Sequence, residues 1–238
     1  MSTPSQVSRS PNGLTNSTPD DLLKDFPIQW HLKKLISRET DFDRYRAADW
    51  TATVVGTGTA TQINEVGGVL RLATSAGATD AVYLDRIGEC YQFTAGLKAW
   101  FRSRFRVSDA TNTELVAGLQ ITDAAPMAVS DGVYFHKPSA GTRLYLVQIS
   151  AATGATTTKD TGVDLVASTY MDAGFSYDGV GNIDWEIKDT TGTTVAKGKE
   201  VANLPTVTLT ESFGVLNAAA AIHDFDIDYT FAAQQLNR

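Results

Sequence analysis

From Trp50 onward the chain is a succession of short runs in which apolar and polar residues alternate, and no segment of helical period of any length interrupts them. Period-two alternation puts successive side chains on opposite faces of a strand. Turn residues punctuate the runs: Asp178-Gly179, Gly181-Asn182, Thr191-Gly192 and Thr153-Gly154 all tolerate the backbone angles of tight reversals. The pattern specifies an all-β fold, an antiparallel two-sheet sandwich. Its clearest strand is Leu97 to Val107, where Leu97, Ala99, Phe101, Phe105 and Val107 share one face and Lys98, Trp100, Arg102, Arg104 and Arg106 the other. Near the C-terminus Phe225, Ile227, Tyr229 and Phe231 alternate with Asp224, Asp226, Asp228 and Thr230, and this acidic row would pair well beside the basic one. Further strands are expected at Val69–Ala73, Ala81–Asp85, Glu114–Thr122, Gly132–Lys137, Arg143–Ser150, Tyr170–Tyr177, Ile183–Asp189 and Thr194–Lys199. Ten or so strands are the complement of a two-sheet jelly roll.

The N-terminal region reads differently. Residues 1 to about 20 are Ser, Thr, Pro, Asn and Gly with almost nothing apolar to bury, the composition of an arm. Pro27 suits a first helical position, and Ile28, Leu32, Leu35 and Ile36 recur at helical spacing with Trp30 beside them, which predicts a short amphipathic helix over Pro27–Ser37. Its apolar stripe, Trp30, Leu32, Leu35 and Ile36, either packs on its own domain or docks on a neighbouring subunit. The expected division is an arm with its helix over residues 1–46 and a sandwich over residues 47–238.

Charge and composition bound the partners. Through Arg46 there are 7 Lys and Arg against 6 Asp and Glu, whereas the remainder has 13 against 21. An acidic body lacks the clustered cations that track phosphates, so no nucleic-acid partner is expected. No apolar stretch approaches the roughly 18 to 20 residues of a membrane span, and the N-terminus lacks the apolar core of a secretory signal, so synthesis in a cytoplasm is expected. Cys90 is the single cysteine and has no partner for a disulfide or a CxxC pair.

A search for chemistry returns little. Nucleophilic catalysis needs an activated Ser, Thr or Cys near a His, but His31, His136 and His223 sit in no such context, and neither a GxSxG elbow nor HExxH spacing occurs. Gly56-Thr57-Gly58-Thr59-Ala60 looks like a dinucleotide loop but leads into strand-type sequence, not a helix that could hold a pyrophosphate, so it reads as a turn. The row Asp224, Asp226, Asp228 is spread at about 7 Å per step along a strand face, too far for one ion, and the loop from Asp178 to Asp184 does not match an EF-hand. No enzyme, cofactor or metal site is expected.

The segments GGVLRL from Gly67 to Leu72, FRSRFRVSDATNTELVAGLQ from Phe101 to Gln120, DGVYF from Asp131 to Phe135, GFSYDGVGNIDWEI from Gly174 to Ile187 and DIDYTFAAQQ from Asp226 to Gln235 follow one another in a telling order. That order resembles concanavalin A-like, laminin G-like jelly rolls of tailed-bacteriophage structural proteins. The resemblance covers about Trp50 to Gln235. It implies a virion protein of the head-decoration or cement type, lying on the outer capsid surface, binding the major capsid protein and forming a homo-oligomer, with a trimer as the expected state. Two alternatives stand beside it: a tail-associated structural protein, and a carbohydrate-binding module with Trp100, Tyr134, Tyr145 and Trp185 as stacking platforms. Glycoside hydrolases resembling this fold carry ExDxxE on one strand; Asp184, Glu186 and Asp189 have the wrong order and spacing for it.

Overall fold

A computed structural model describes residues 8–10, 13–15, 22, 34–201 and 203–237 of the chain. The strands, in chain order, are β1 (Ser8–Ser10), β2 (Gly13–Thr15), β3 (Leu35–Thr40), β4 (Trp50–Val55), β5 (Thr59–Ile63), β6 (Val69–Ala73), β7 (Ala81–Arg86) and β8 (Ala99–Val107). They continue with β9 (Thr113–Gln120), β10 (Gly132–Lys137), β11 (Arg143–Ser150), β12 (Ala155–Asp164), β13 (Met171–Tyr177), β14 (Ile183–Lys188), β15 (Thr194–Glu200), β16 (Thr210–Asn217) and β17 (Asp224–Gln235). A seven-stranded sheet runs β12-β11-β10-β9-β16-β7-β4. An eight-stranded sheet runs β15-β14-β13-β8-β17-β6-β5, with β3 joined to β17. Every pairing is antiparallel, and β1 and β2 pair only with each other. Among the described residues no helix is long and apolar enough to cross a membrane.

The core lies between the sheets because the inward residues of both are apolar. Phe101, Phe105, Phe175 and Phe225 of the eight-stranded sheet face Leu115, Ala117, Leu119, Phe135 and Phe213 of the other, all fully buried. Phe101 stacks on Phe175 at 5.3 Å between ring centres and meets Phe213 at 6.3 Å across the interlayer space. Each such ring contributes about 1.5–3 kcal/mol on burial. Polar ties also join the two layers: the Thr74 hydroxyl donates to Asn217 of β16 at 2.6 Å, and Glu211 supplies a tie that carries charge. Glu211 of β16, fully buried, pairs with Arg86 at 3.2 Å and accepts a hydrogen bond from Thr230 of β17 at 3.2 Å. Burial pushes the Glu211 carboxyl up, against the pull of Arg86.

The strand readings hold closely for β6, β10 and β11, and the acidic row does lie beside the basic one, since β17 pairs with β8. Three corrections follow from tertiary pairing. First, the helix expected over Pro27–Ser37 is not formed at its C-terminal end, where Leu35, Ile36 and Ser37 begin β3 and pair with Gln235, Gln234 and Ala233. Leu35 and Ile36 are adjacent, so they face opposite sides of a strand; Leu35 packs by Trp100 and Ile36 towards the main core, and this edge pairing outweighs the local period. The portion of the helix before Lys34, with Trp30 and Leu32, lies outside the described residues. Second, β3 belongs to the eight-stranded sheet, so the sandwich already includes Leu35–Thr40, ahead of the division expected at residue 47. Third, a register shift between Ile227 and Tyr229 breaks the alternation of β17: Phe225 and Ile227 are core, but Tyr229 and Phe231 stand opposite Arg104 and Arg102 on the outer face.

Five strands of the two sheets, β3, β4, β5, β12 and β16, lie outside the strands expected from the sequence, and the last two show why. β12 is almost wholly exposed and offers no apolar face, whereas β16 is central but carries Glu211, Ser212 and Gly214 among its apolar residues. Gly214 is required by its neighbour, since a Cβ there would stand 2.6 Å from the Tyr83 ring. Gly118 of β9 is held more tightly: a Cβ would meet the Tyr134 backbone and come within 2.6 Å of the Val133 carbonyl oxygen. Gly118→Ala is therefore expected to lower the free energy of unfolding by about 2–3 kcal/mol, as overpacking against backbone does. Urea titration of the variant beside wild type checks it.

Candidate binding surfaces

The outer face of the eight-stranded sheet carries the basic stripe, and its own sheet neutralises it. Asp226 of β17, almost fully buried, takes Arg106 at 2.9 Å and Arg71 at 2.7 Å, and Arg71 also reaches Asp224 at 3.0 Å. Arg102 pairs with Asp172 at 2.6 Å, and Arg104 with Asp228, the residue at the register shift. The Tyr170 ring is clamped by Arg104 and Arg106, each guanidinium 4.4 Å from its centre, and its hydroxyl donates to Glu65 at 3.2 Å. Glu65 pairs with Arg106 as well. The arginines are thus engaged within the domain instead of forming a phosphate-tracking surface.

Beside this lattice, the outward swing of Tyr229 and Phe231 lines a cavity of about 550 Å³ with Glu39, Asp41 and Asp43. Phe42, between those two aspartates, is buried against Trp50 with a left-handed φ of 55°. Further along the same face Leu22, buried, lies over Gly174, which has no side chain to displace it.

The outer face of the seven-stranded sheet is aromatic at its centre. The Tyr83 ring lies over Gly214 and the Tyr134 ring beside Gly132, while the Tyr134 backbone closes on Gly118; both tyrosines are only 5% exposed. Burial and the nearby Glu114 carboxylate push the Tyr134 hydroxyl up to about 12. Glu114 receives His136 Nε2 at 2.9 Å, and Tyr145 stands opposite His136 in register, half-buried. Segment 121–131, with a 3-10 turn at Pro126–Ala128, covers one end of this face: Val129, Met127 and Ile121 pack on Val116, Tyr134 and Val147. Beneath it Asp85 is 2% exposed, and burial pushes its carboxyl up to about 6, with Asp123 and Glu89 as like-charged neighbours.

The structure scatters the residues singled out in the sequence. Of the four aromatic platforms, Trp100 is 1% and Trp185 4% exposed, Tyr134 is covered, and Tyr145 alone keeps an accessible face. Leu35 is buried beside Trp100 and Ala233. His136 pairs with Glu114, and His223 is buried where its backbone N–H bonds the Thr74 hydroxyl at 2.9 Å, while His31 lies outside the described residues. Glu186 accepts from Thr194 at 2.5 Å, and Asp189 caps its own turn through Thr191 and Thr193. Asp178 likewise collects the N–H groups of Val180, Gly181 and Asn182, which helps hold its carboxyl at about 2 against burial. Among the described residues no group of three or more His, Cys, Asp or Glu gathers to hold a metal. Asp85 and Ser212 were not singled out, because single polar residues in separate strands carry no local signal.

No family model matches the chain, and no curated protein sequence matches it. Solved structures do. A protein of unknown function from Shewanella oneidensis MR-1, SO2946, is similar with a TM-score of 0.64 and 14% identity over 93% of this chain and 97% of that one. Peanut lectin follows with a TM-score of 0.59 and 12% identity, over 86% and 99% of the two chains. An endo-1,3-beta-glucanase from Streptomyces sioyaensis gives 0.58 and 11%, over 84% and 96%. Lectins and glycoside-active enzymes share this architecture, so at such identities the likeness establishes a concanavalin A-like, legume-lectin-type jelly roll and leaves activity undecided.

Asp85 generates a pH prediction. Burial raises its folded pKa to about 6 from the ordinary 3.8 of an aspartate, so the folded state holds the proton more firmly and stability falls as pH rises between those values. The wild type is expected to lose about 3 kcal/mol across this window relative to Asp85→Asn. Chemical unfolding of both proteins at pH 4 and pH 7 measures the difference.

Proposed function

We propose that this protein is a non-catalytic structural component of a virus particle. In this reading it is a decoration or cement protein on the outer head surface that binds the major capsid protein as a homo-oligomer, a trimer by resemblance, after synthesis in the host cytoplasm. The observation that carries the reading is a division of labour. The sandwich consumes most of its own aromatics and neutralises its own arginines, while β1 and β2 pair with each other and with neither sheet. An N-terminal pair of strands that joins neither sheet is of little use to a pocket-binding module, but it suits a protein that must grip neighbours on a shell. Ordering such an arm costs about 1–2 kcal/mol per residue, which only new contacts on docking offset. Repetition on a symmetric shell then turns modest interfaces into firm retention.

A second reading, carbohydrate binding, is favoured by Tyr145 with the His136–Glu114 pair on the outer face of the seven-stranded sheet and by the likeness to peanut lectin. Co-sedimentation with shells assembled from a tailed-phage major capsid protein separates the two. The full chain is expected to pellet with shells, and a form beginning at Lys34 to bind at least tenfold more weakly. If the full chain ignores shells and binds a defined glycan in a manner lost in Tyr145→Ala, the second reading replaces the first. Binding to tails in place of shells would move the protein to the tail.

A further inference from the structure

The two sides of the sandwich, where its sheets end, differ in charge. On one side the edge strands are β12 and β15, and they carry Lys159, Asp160, Asp164, Lys197, Lys199 and Glu200. Charged edge strands resist pairing with another chain. On the other side the edge strands are β4 and β5, and residues 50–64 contain no charged side chain and no proline. Segment 43–45 of the chain itself meets β5, through Gln62 Nε2 donating to the Asp43 carbonyl at 2.7 Å. Among the described residues β4 has no strand beyond it, so its outer row of backbone N–H and C=O groups is left without a strand to pair with.

The charge-free surface continues from β4 onto one end of the sandwich. Residues 72–79 and 212–222 are also uncharged, and Asn217, fully buried, ties them together. Its Nδ2 lies 2.7–2.9 Å from the carbonyl oxygens of Ser75, Gly77 and Ala221, and its backbone N–H donates to the Asp80 carbonyl at 2.9 Å. The Thr57 N–H donates to the Ser75 hydroxyl at 2.9 Å, which joins the β4–β5 turn to the same loop. Asp80, bordering that loop, spends its carboxylate on the Ser75 hydroxyl and on the Gly77 N–H at 2.8 Å. What this braced end exposes is apolar: Val54 at 42%, Val55 at 45% and Ile222 at 65%, with most alanines of loops 74–80 and 218–222 beside them.

Charge identifies what covers it. Beyond Arg46 the chain has 13 Lys and Arg against 21 Asp and Glu, so two copies repel wherever their acidic surfaces face each other. A strongly charged partner finds nothing to pair with on this side, whereas an equally acidic copy can approach there without that repulsion. Lasting contacts between identical subunits are the more apolar, charge-depleted ones, and an unblocked edge strand belongs inside such a contact. We propose that the β4 edge with loops 74–80 and 218–222 is the surface through which a second copy of this chain binds, Val54, Val55 and Ile222 being its apolar anchors. This contact rests on the homo-oligomeric part of the reading above and supplies the surface for it.

Light scattering and sedimentation of the full chain at about 10 µM are expected to give a whole multiple of the chain mass, unchanged between about 0.1 and 0.5 M salt because no ion pair takes part. The double variant Val54→Glu, Ile222→Glu alters exposed side chains alone, so it is expected to keep its circular dichroism and to associate at least about tenfold more weakly. Val195→Glu, on the β15 edge where the valine is 49% exposed, is expected to associate as wild type does. A wild type that stays monomeric up to about 100 µM overturns the proposal; if its pelleting with shells is also lost in the double variant, a capsid subunit is the occupant. An oligomer whose mass the double variant keeps overturns it too, since the copies then join elsewhere. An oligomeric wild type dispersed by the double variant upholds the contact whether or not it pellets with shells, so failure of the shell reading leaves it standing.

Discussion

The pairing of β8 with β17 is the constraint on which the rest of the molecule depends. It joins the first and second halves of the chain at the centre of the eight-stranded sheet, and it works on both faces at once. Inward, Phe101, Phe105 and Phe225 anchor the aromatic core; outward, Arg106, Arg71 and Asp226 form a hydrogen-bonded ion lattice whose carboxylate is nearly inaccessible to water. A one-residue slip would drive arginines into the core, so the pattern of charge and bulk selects a single register. The shift between Ile227 and Tyr229 then changes faces along β17, letting it pair with β6 at its start and with β3 at its end.

That arrangement leaves the two outer faces with different characters. The eight-stranded sheet presents cations and anions in mutual contact, a surface that is charged yet self-satisfied. The seven-stranded sheet presents Tyr83 and Tyr134 packed against glycines, a half-exposed Tyr145 beside the His136–Glu114 pair, and an end covered by segment 121–131. An architecture shared with lectins and with glycoside-active enzymes does not choose a use for either face, because the shared part is the packing of two sheets and the differences lie in single side chains on their outer faces.

The fold class, most strands and the partnership of the basic and acidic rows were legible in the sequence because period-two alternation and turn chemistry are local, and opposite charges on two half-buried strands complement one another. β12 and β16 were less legible, the first for want of an apolar face and the second because its glycine and carboxylate serve partners far away in the chain. Little of the candidate sites was readable. Trp100 and Trp185 look like platforms in a strand but are consumed by packing, and Leu35 looks helical until β17 supplies an edge for it. Asp85 and Ser212 come together only because strands far apart in the chain are neighbours in the sheet.

The sequence by itself determined that this chain forms antiparallel strands with one apolar face, an acidic body and an N-terminal region of different composition, since each of these follows from residue type and short-range spacing. Tertiary structure alone decided which strands are neighbours, where the domain begins, which aromatics are spent on the core and which polar atoms are stranded without partners. These depend on sheet order and on the register shift in β17, and both are set by contacts between residues more than a hundred positions apart, as in Arg106 with Asp226 and Arg86 with Glu211, that no local window contains.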